Sequence, residues 1–443
     1  MNNNPTEILV YTEKRTNRLR YTLDEVFAQR LGFKVIQTTR TKEFIGYDGI
    51  KLNYSIKSLE GGYQIRPNGL LAGKSLQPVE FEKERSEVPC LFSENGAGKQ
   101  VDVLATCFYF LALYQEYLPY RSDEHGRFQS SESIQKGFGC LQKAFVDGLV
   151  KGLSEEIKKI YPSCSNQPVN EPNRVAVTVD VDQMFYYREK GLARSILSTI
   201  VDTVRKPSSL KTRLPIQLFG KTDPIDIYQD IIEICLKYGV NPIFFIQVGE
   251  PSRFDRNNPI HLPAVTQKVN ELALRSEIGL HPSYFSCEDG QKLELELGRL
   301  RSICSSRINV SRQHYMRWRL PDTLLTLAEL GITFDYTLGF PDVNGFRAGT
   351  AHPFKFFNLQ KDEVVDITLM PTHFSDIVSM RLSTDPEEEM MAIKNECNSY
   401  GGTFCTMWHP EVLTGIESKR GSYDLLQTLL HSEVVKYSSN RSY

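Results

Sequence analysis

The second half of the chain alternates between two hydrophobic patterns. Short apolar runs are typical of buried strands, and longer segments with apolar residues every three or four positions are typical of helices. Strands are predicted at 241–247, 277–281, 308–314, 332–336, 364–369 and 403–408, and helices at 222–238, 264–275, 290–304, 321–330, 386–400 and 423–435. This alternation predicts a parallel sheet, and the number of units favours a closed or nearly closed β/α barrel.

The first part of the chain has a shorter and less regular pattern. Strands are predicted at 7–11, 33–38, 51–56 and 62–65, and helices at 18–31, 101–117 and 131–160. The polar segment 161–172 contains three prolines and has no apolar period, which indicates a linker. We therefore expect a smaller α/β domain over residues 1–165 and the β/α barrel domain over 170–443.

The run Val175–Gln183 combines a buried strand with two carboxylates. Its β-branched first half predicts a strand, and Asp180 and Asp182 follow two residues apart, on the same side of that strand. Two like charges at this spacing are unfavourable unless a cation, a proton or an arginine lies between them. The pair therefore suggests a site, although aspartates here could also cap the next helix or face solvent.

Three histidines end predicted strands in the same way: His281, His314 and His409. The carboxyl ends of the strands form the active-site face of a β/α barrel. Imidazole and carboxylate are common zinc ligands, and a catalytic zinc site uses three protein ligands. Asp182, His281 and His314 could supply them, with Asp180 as general base and His409 as general acid, as in a hydrolase. Any one of these histidines alone would more often be a hydrogen-bonded residue of the core or the surface.

Composition and charge bear on the partners and the cellular location expected for the chain. A net charge of −2 gives no electrostatic reason to expect nucleic acid or an anionic membrane as partner. The longest apolar stretch, 103–114, is too short to span a bilayer, and the start of the chain lacks the pattern of a secretory signal. The nine cysteines are scattered without a Cys-x-x-Cys pair, which is typical of reduced thiols in a cytoplasmic protein.

Four short motifs carry a resemblance to a known family. Thr178-Val-Asp-Val-Asp, Gly279-Leu-His-Pro-Ser-Tyr, Arg312-Gln-His-Tyr and Met407-Trp-His resemble motifs of the carbohydrate esterase family 4 (NodB-homology) polysaccharide deacetylases. The resemblance covers roughly residues 170–443. The phrases at 108–117, 123–128 and 345–350 resemble a bacterial subgroup that has an extra N-terminal domain and occurs in surface-polysaccharide gene clusters.

This resemblance implies a distorted barrel and the metal-dependent removal of an acetyl group from an N-acetylated sugar or polysaccharide precursor. It implies that Asp180 is the base, that Asp182 and His281 bind a divalent metal, with zinc the expected ion, that Arg312 orients the base, and that His409 is the acid.

Two positions depart from the family pattern. Phe285 stands where the second motif has another metal-binding histidine, and His314 stands where the third motif usually has proline. Our hypothesis is that His314 supplies the missing ligand. The competing interpretation is that the metal site has decayed and that the domain binds glycans without hydrolysing them. A third possibility is hydrolysis of another C–N bond, since related barrels act on cyclic amides.

Three further residues are candidates for substrate binding. Arg347 could meet an anion of the substrate, or hold a loop through an ion pair. Tyr284 and Trp408 could stack on a sugar ring, or pack in the core. The sequence leaves open which sugar is bound and how many subunits assemble.

Overall fold

The structure is a computed structural model that describes residues 6–93, 100–162, 174–189, 210–219, 221–416 and 421–439. The chain forms two compact units. The first consists of Met1–Arg174, Gly345–Pro371 and Asn395–Thr403, and the second of Val175–Asn344, Thr372–Lys394 and Phe404–Tyr443. The predicted linker lies mostly outside the described residues, so the domain division at 165–170 remains a prediction.

The described strands are numbered in chain order. They are β1 (Glu7–Thr12), β2 (Lys34–Thr38), β3 (Ile50–Tyr54), β4 (Tyr63–Ile65), β5 (Arg174–Val181), β6 (Ile243–Gln247), β7 (Glu277–His281), β8 (Val310–Ser311), β9 (Phe334–Asp335), β10 (Phe354–Asn358), β11 (Glu363–Leu369), β12 (Phe374–Ser375) and β13 (Thr403–Trp408).

The first unit contains a parallel sheet in the order β2-β1-β3-β4. Its helical segments are Asn17–Leu23, which continues as a π-helix over Asp24–Arg30, then Thr41–Ile45, Val103–Leu111, Ile134–Phe138 and Phe145–Ile160. The continuous helix predicted over 131–160 is wrong, because Gly139 takes a left-handed conformation (φ 67°) and ends the helix Ile134–Phe138. The pair β10–β11 is antiparallel, and β10 was not predicted from the sequence.

The strands of the second unit lie in the order β9-β8-β7-β6-β5-β13-β12. The pairs from β5 to β9 are parallel, as is β12–β13. In this register Asp180 lies opposite Phe245, and Gln247 lies opposite His281. The carboxyl ends of these strands therefore meet at one edge of the sheet.

The predicted mixed α/β architecture with parallel sheets is confirmed. The prediction of a closed barrel is wrong, because the sheet, over the residues that the structure describes, is not closed. Among the described strands of the second unit, β9 pairs with β8 and β12 pairs with β13, but β9 and β12 do not pair with each other. Each of these two strands is only two residues long.

Of the remaining helices in the described residues, six match predicted ones with shifted ends, and Leu210–Phe219, Asp376–Leu382 and Pro410–Leu413 were not predicted. These helices are Leu210–Phe219, Tyr228–Lys237, Pro263–Ala273, Gly290–Ile303, Asp322–Glu329, Asp376–Leu382, Pro386–Asn398, Pro410–Leu413 and Tyr423–Ser439. The helix predicted to start at Thr222 begins instead at Tyr228. Asp223 does not cap it, because its carboxylate accepts hydrogen bonds from the backbone N–H groups of residues 186, 187 and 188.

Two sequence expectations concern the chain as a whole. None of the helices in the described ranges combines the length and the apolar composition that crossing a bilayer requires. The eight cysteines among these residues are free and buried.

Candidate metal and catalytic site

The two aspartates lie where β5 ends. Asp180 is the penultimate residue of β5 and is buried, and Asp182 follows the strand. His281, the last residue of β7, brings its Nε2 to 3.1 Å from Asp182 Oδ1 and to 3.9 Å from Asp180 Oδ2. The predicted convergence of strand ends thus places an imidazole against both carboxylates.

His314 reaches the same place from a turn and not from a strand. The strand predicted over 308–314 ends at Ser311, and His314 begins a short 3₁₀ turn. Tyr315 and Met316 both take left-handed backbone conformations (φ 60° and 54°), which residues other than glycine rarely adopt. This turn holds His314 Nε2 at 3.5 Å from Asp182 Oδ1. Such local strain is often found at functional sites.

These three side chains form a set of donors that fits a small divalent cation. One ligand atom from each of Asp182, His281 and His314 lies within 4.8 Å of the other two. Zinc binds nitrogen and oxygen at about 2.0–2.2 Å, which in a tetrahedral arrangement separates the donors by about 3.3 Å. The measured separations of 3.1 and 3.5 Å from Asp182 Oδ1 lie close to that value.

Both candidate histidine ligands have their second nitrogen anchored. His281 Nδ1 lies 2.6 Å from the backbone carbonyl oxygen of Arg312, and His314 Nδ1 lies 2.9 Å from Asp255 Oδ1. Metal-binding histidines usually donate their other ring N–H to a carbonyl or carboxylate, which leaves the facing nitrogen available as a ligand. The surroundings of both rings match that pattern.

Asp180 is held by a buried arginine. Arg312 Nη1 donates to Asp180 Oδ1 (2.8 Å) and to Thr178 Oγ1 (2.7 Å). The same guanidinium donates through Nη2 to Thr372 Oγ1 and through Nε to the carbonyl of Tyr336, so its orientation is fixed. The charge of Arg312 offsets the like-charge repulsion between the two aspartates, and Asp180 Oδ2 is left facing the histidines.

His409 follows β13 and is fixed by Asp376. The carboxylate of Asp376 lies 2.7 Å from His409 Nδ1 through one oxygen and accepts the His409 backbone N–H (2.8 Å) through the other. His409 Nε2 lies 3.9 Å from Asp180 Oδ2. The ring therefore presents one nitrogen to the site while the other is held.

The charges around the site shift the pKa values of its histidines. Burial opposes protonation of His314, but Asp182 and Asp255 outweigh it and raise its pKa to about 9. Burial likewise opposes protonation of His409, yet Asp376 and Asp180 raise its pKa to about 10. Burial would raise the pKa of Asp182, and the two neighbouring imidazoles lower it well below its usual range.

Asp182 is the most accessible side chain of the group. Its side chain is 29% exposed, while those of His281, His314 and His409 are 1%, 7% and 9% exposed. A molecule that reaches the site from solvent therefore meets Asp182 first.

Sequence reasoning missed three acidic residues near the site: Asp255, Asp376 and Glu411. Ser375-Asp376 has the composition of a helix start, a signal that could have been read. Asp255 lies in a loop, where no sequence pattern distinguishes it. Glu411 follows His409 by two residues and is buried, and burial together with Asp182 raises its pKa to about 8.

The three predicted substrate-binding side chains are buried, and each has a partner within its own unit. Arg347 belongs to the first unit and forms a buried two-point ion pair with Glu116 (2.6 and 2.9 Å). Trp408 is fully buried and donates its indole N–H to Thr406. Tyr284 is 5% exposed and stacks on Phe254 at 3.8 Å. These contacts match the alternatives that the sequence left open, an ion pair for Arg347 and core packing for Tyr284 and Trp408, and substrate binding by these three side chains stays a prediction.

An aromatic cluster nevertheless lies beside His314. It consists of Phe254, Tyr284, Phe285 and Tyr315. The ring of Tyr315 packs edge-on against the ring of His314 (4.6 Å between centroids), and Phe285 is 38% exposed. The residue that replaces the expected second histidine is thus part of an aromatic surface.

Comparisons with known proteins add a family match and some distant structural likenesses. A model described as "Family of unknown function (DUF7033)" matches residues 8–162. No curated protein matches the chain.

Among solved structures, the chain is similar to a protein classed as a polysaccharide deacetylase from Mycobacterium smegmatis (17% identity, 60% of this chain and 85% of that chain, TM-score 0.39). It is also similar to a CE4 family pseudoenzyme from Bacillus anthracis (9% identity, 60% and 62%, TM-score 0.30). A 4-alpha-glucanotransferase from Thermococcus litoralis matches at 11% identity, over 59% of this chain and 38% of that chain, with a TM-score of 0.33. Likenesses at these scores are too distant to indicate a function, so the function is inferred from the residues of this chain.

Proposed function

We propose that this chain is a metal-dependent hydrolase that removes the acetyl group from an N-acetylated sugar or polysaccharide precursor. The observation that supports it is the convergence of Asp182, His281 and His314, whose ligand atoms lie within 4.8 Å of one another. Asp180 and His409 lie beside this set, each with a partner that fixes its orientation. A base, an acid and a place for a cation are what hydrolysis of an amide requires.

Each side chain then has a defined part in the reaction. Asp182, His281 and His314 would hold the cation, which when bound polarises the acyl oxygen and lowers the pKa of a water toward about 7. Asp180 accepts the proton of the attacking water through Oδ2, while Arg312 holds Oδ1. The water oxygen bonds to the acyl carbon, the C–N bond breaks, and His409 gives a proton to the leaving amine. The products are acetate and a free amino sugar.

A second candidate is a glycan-binding protein without hydrolytic activity. Phe285 favours it, because this ring replaces a family ligand and is partly exposed in the aromatic cluster beside His314. Exposed aromatic rings can stack on the apolar face of a sugar, and that contact needs no metal.

Acetate release from a panel of N-acetylated sugars and oligosaccharides tests the proposal. The purified chain is assayed with added zinc, after chelation, and as the Asp182→Asn variant. We expect release with zinc and its loss in the other two samples. The exposed His261 offers a matched control, since His261→Ala removes an imidazole outside the described site and should change nothing.

The same panel distinguishes the two candidates. Sugar binding without acetate release, in a protein that holds no zinc, would contradict the hydrolase and favour the glycan-binding protein.

A further inference from the structure

Asp255 joins three loops at the back of the candidate metal site. It lies in the segment after β6 and contacts His314, which follows β8, and the backbone of Tyr284, which follows β7. Its carboxyl group is nearly inaccessible, at 1% exposure of the side chain. A buried carboxylate with partners on three segments is well placed to set their relative positions.

Every oxygen of Asp255 has a donor. Oδ1 is approached by the backbone N–H of Tyr284 (2.9 Å), Gln247 Nε2 (3.0 Å) and His314 Nδ1 (2.9 Å), and Oδ2 accepts the hydroxyl of Ser252. The side-chain N–H of Gln247 and the backbone N–H of Tyr284 are donors, so the carboxylate of Asp255 acts as an acceptor in this network.

The contacts of Asp255 indicate which ring nitrogen of His314 carries the proton. Gln247 Nε2 lies 2.8 Å from His314 Nδ1, so Gln247 could in principle donate to that nitrogen. In that arrangement His314 Nδ1 and Asp255 Oδ1 would be two acceptors 2.9 Å apart, which is unfavourable. With the proton on Nδ1, both His314 and Gln247 donate to the carboxylate, and no acceptors face each other.

We propose that Asp255 is a positioning residue that makes His314 a metal ligand: by accepting the Nδ1–H, it fixes the ring and leaves Nε2 directed at Asp182. The inference rests on the proposed function, in which His314 replaces the histidine absent at Phe285. Asp255 touches neither substrate nor metal in this account, and its effect on the metal passes through His314. Removing a carboxylate that orients a metal-binding histidine typically weakens metal affinity 10- to 100-fold.

Zinc affinity, measured by competition with a chromophoric chelator, tests this role without reference to turnover. We expect Asp255→Asn to bind zinc 10- to 100-fold more weakly than the wild type, because the amide can donate to Nδ1 and so favour the ring form with Nε2–H. His314→Gln should bind more weakly still, through loss of the ligand itself.

A matched control separates positioning from general loss of a buried carboxylate. Asp102, in the first unit, is also fully buried and accepts hydrogen bonds from Tyr54 and from two backbone N–H groups. Asp102→Asn should leave zinc affinity within about twofold of the wild type.

The outcomes distinguish the inference from the proposed function. If wild type binds zinc and His314→Gln does not, but Asp255→Asn matches the wild type, the role of Asp255 is overturned while the hydrolase stands. If wild type binds no zinc, both fail.

Should Asp255→Asn not fold, nitrogen NMR of the zinc-loaded wild-type protein with labelled histidine gives the answer directly. A protonated His314 Nδ1 supports the inference, and an unprotonated Nδ1 overturns it. The signal of His314 is identified by its absence from the spectrum of the His314→Gln variant.

Discussion

Asp180 and Asp182 are two residues apart in the sequence but have different surroundings. Asp180 is buried and bound to the guanidinium of Arg312, whereas Asp182 is 29% exposed and faces two imidazoles. Environment sets the roles of paired carboxylates in many active sites. Here it suits Asp180 to proton transfer and Asp182 to binding a cation.

Replacing Asp180 by asparagine should separate these roles. The amide keeps the shape and can still accept the hydrogen bond from Arg312, but it cannot take a proton from water. We expect acetate release to fall 10²- to 10⁴-fold while zinc stoichiometry stays that of the wild type. Both are measured on one preparation, and turnover within a few-fold of the wild type would refute Asp180 as the base.

The end of β13 and the start of the helix Asp376–Leu382 are joined through one ion pair. Ser375 caps this helix, and Asp376 lies in its first turn, where a negative charge is favourable. The imidazole of His409 forms the other half of the ion pair, and the backbone N–H of His409 donates to the same carboxylate. Strand, helix and candidate acid are thereby held as one assembly.

This pairing predicts a pH dependence for the metal-free protein. The pKa of His409 is about 10 in the folded chain, against about 6.5 when unfolded. Its contribution to stability is thus fully present below pH 6.5 and is lost as the pH rises through about 10. Urea unfolding at pH 7 and pH 10 should show a larger loss of unfolding free energy for wild type than for His409→Gln; equal losses would contradict the assignment.

The sequence predicted the elements of the site better than their ends and partners. Asp180, His281 and His409 could be found because each follows an apolar run whose end is visible in the pattern. His314 was found for the wrong reason, since it lies in a strained turn three residues beyond β8. Asp255 and its hydrogen bonds could not be predicted, because its partners are set by tertiary packing between loops.

The open sheet was not predictable for a related reason. Periodicity counts strands but does not give the number of residues that pair between them. The two-residue lengths of β9 and β12 emerge only once the neighbouring loops are in place.

The first compact unit is assembled from three separate stretches of chain, and buried ion pairs link the first stretch to the second. Arg347 and Glu116 are 1% and 3% exposed at their side chains and lie 231 residues apart in sequence. Because both side chains are removed from water, each buried charge is stabilised mainly by its partner, and losing one leaves the other uncompensated.

Breaking this pair should cost far more than breaking an exposed one. Arg347→Met leaves the Glu116 carboxylate buried without its partner, and we expect a loss of about 3–5 kcal/mol in unfolding free energy. Lys355–Asp366 in the same unit is an exposed pair, so Lys355→Met should cost below about 1 kcal/mol. Denaturant titrations compare the two; equal costs would show that the Arg347 pair does not stabilise the unit.

The three-stretch construction has a consequence for how the protein is made. Glu116 leaves the ribosome long before Arg347, and the last stretch of this unit ends only at Thr403. During translation the carboxylate of Glu116 therefore stays solvated until more than half of the polypeptide has been made after it. A fragment cut after the predicted linker would never receive the missing guanidinium.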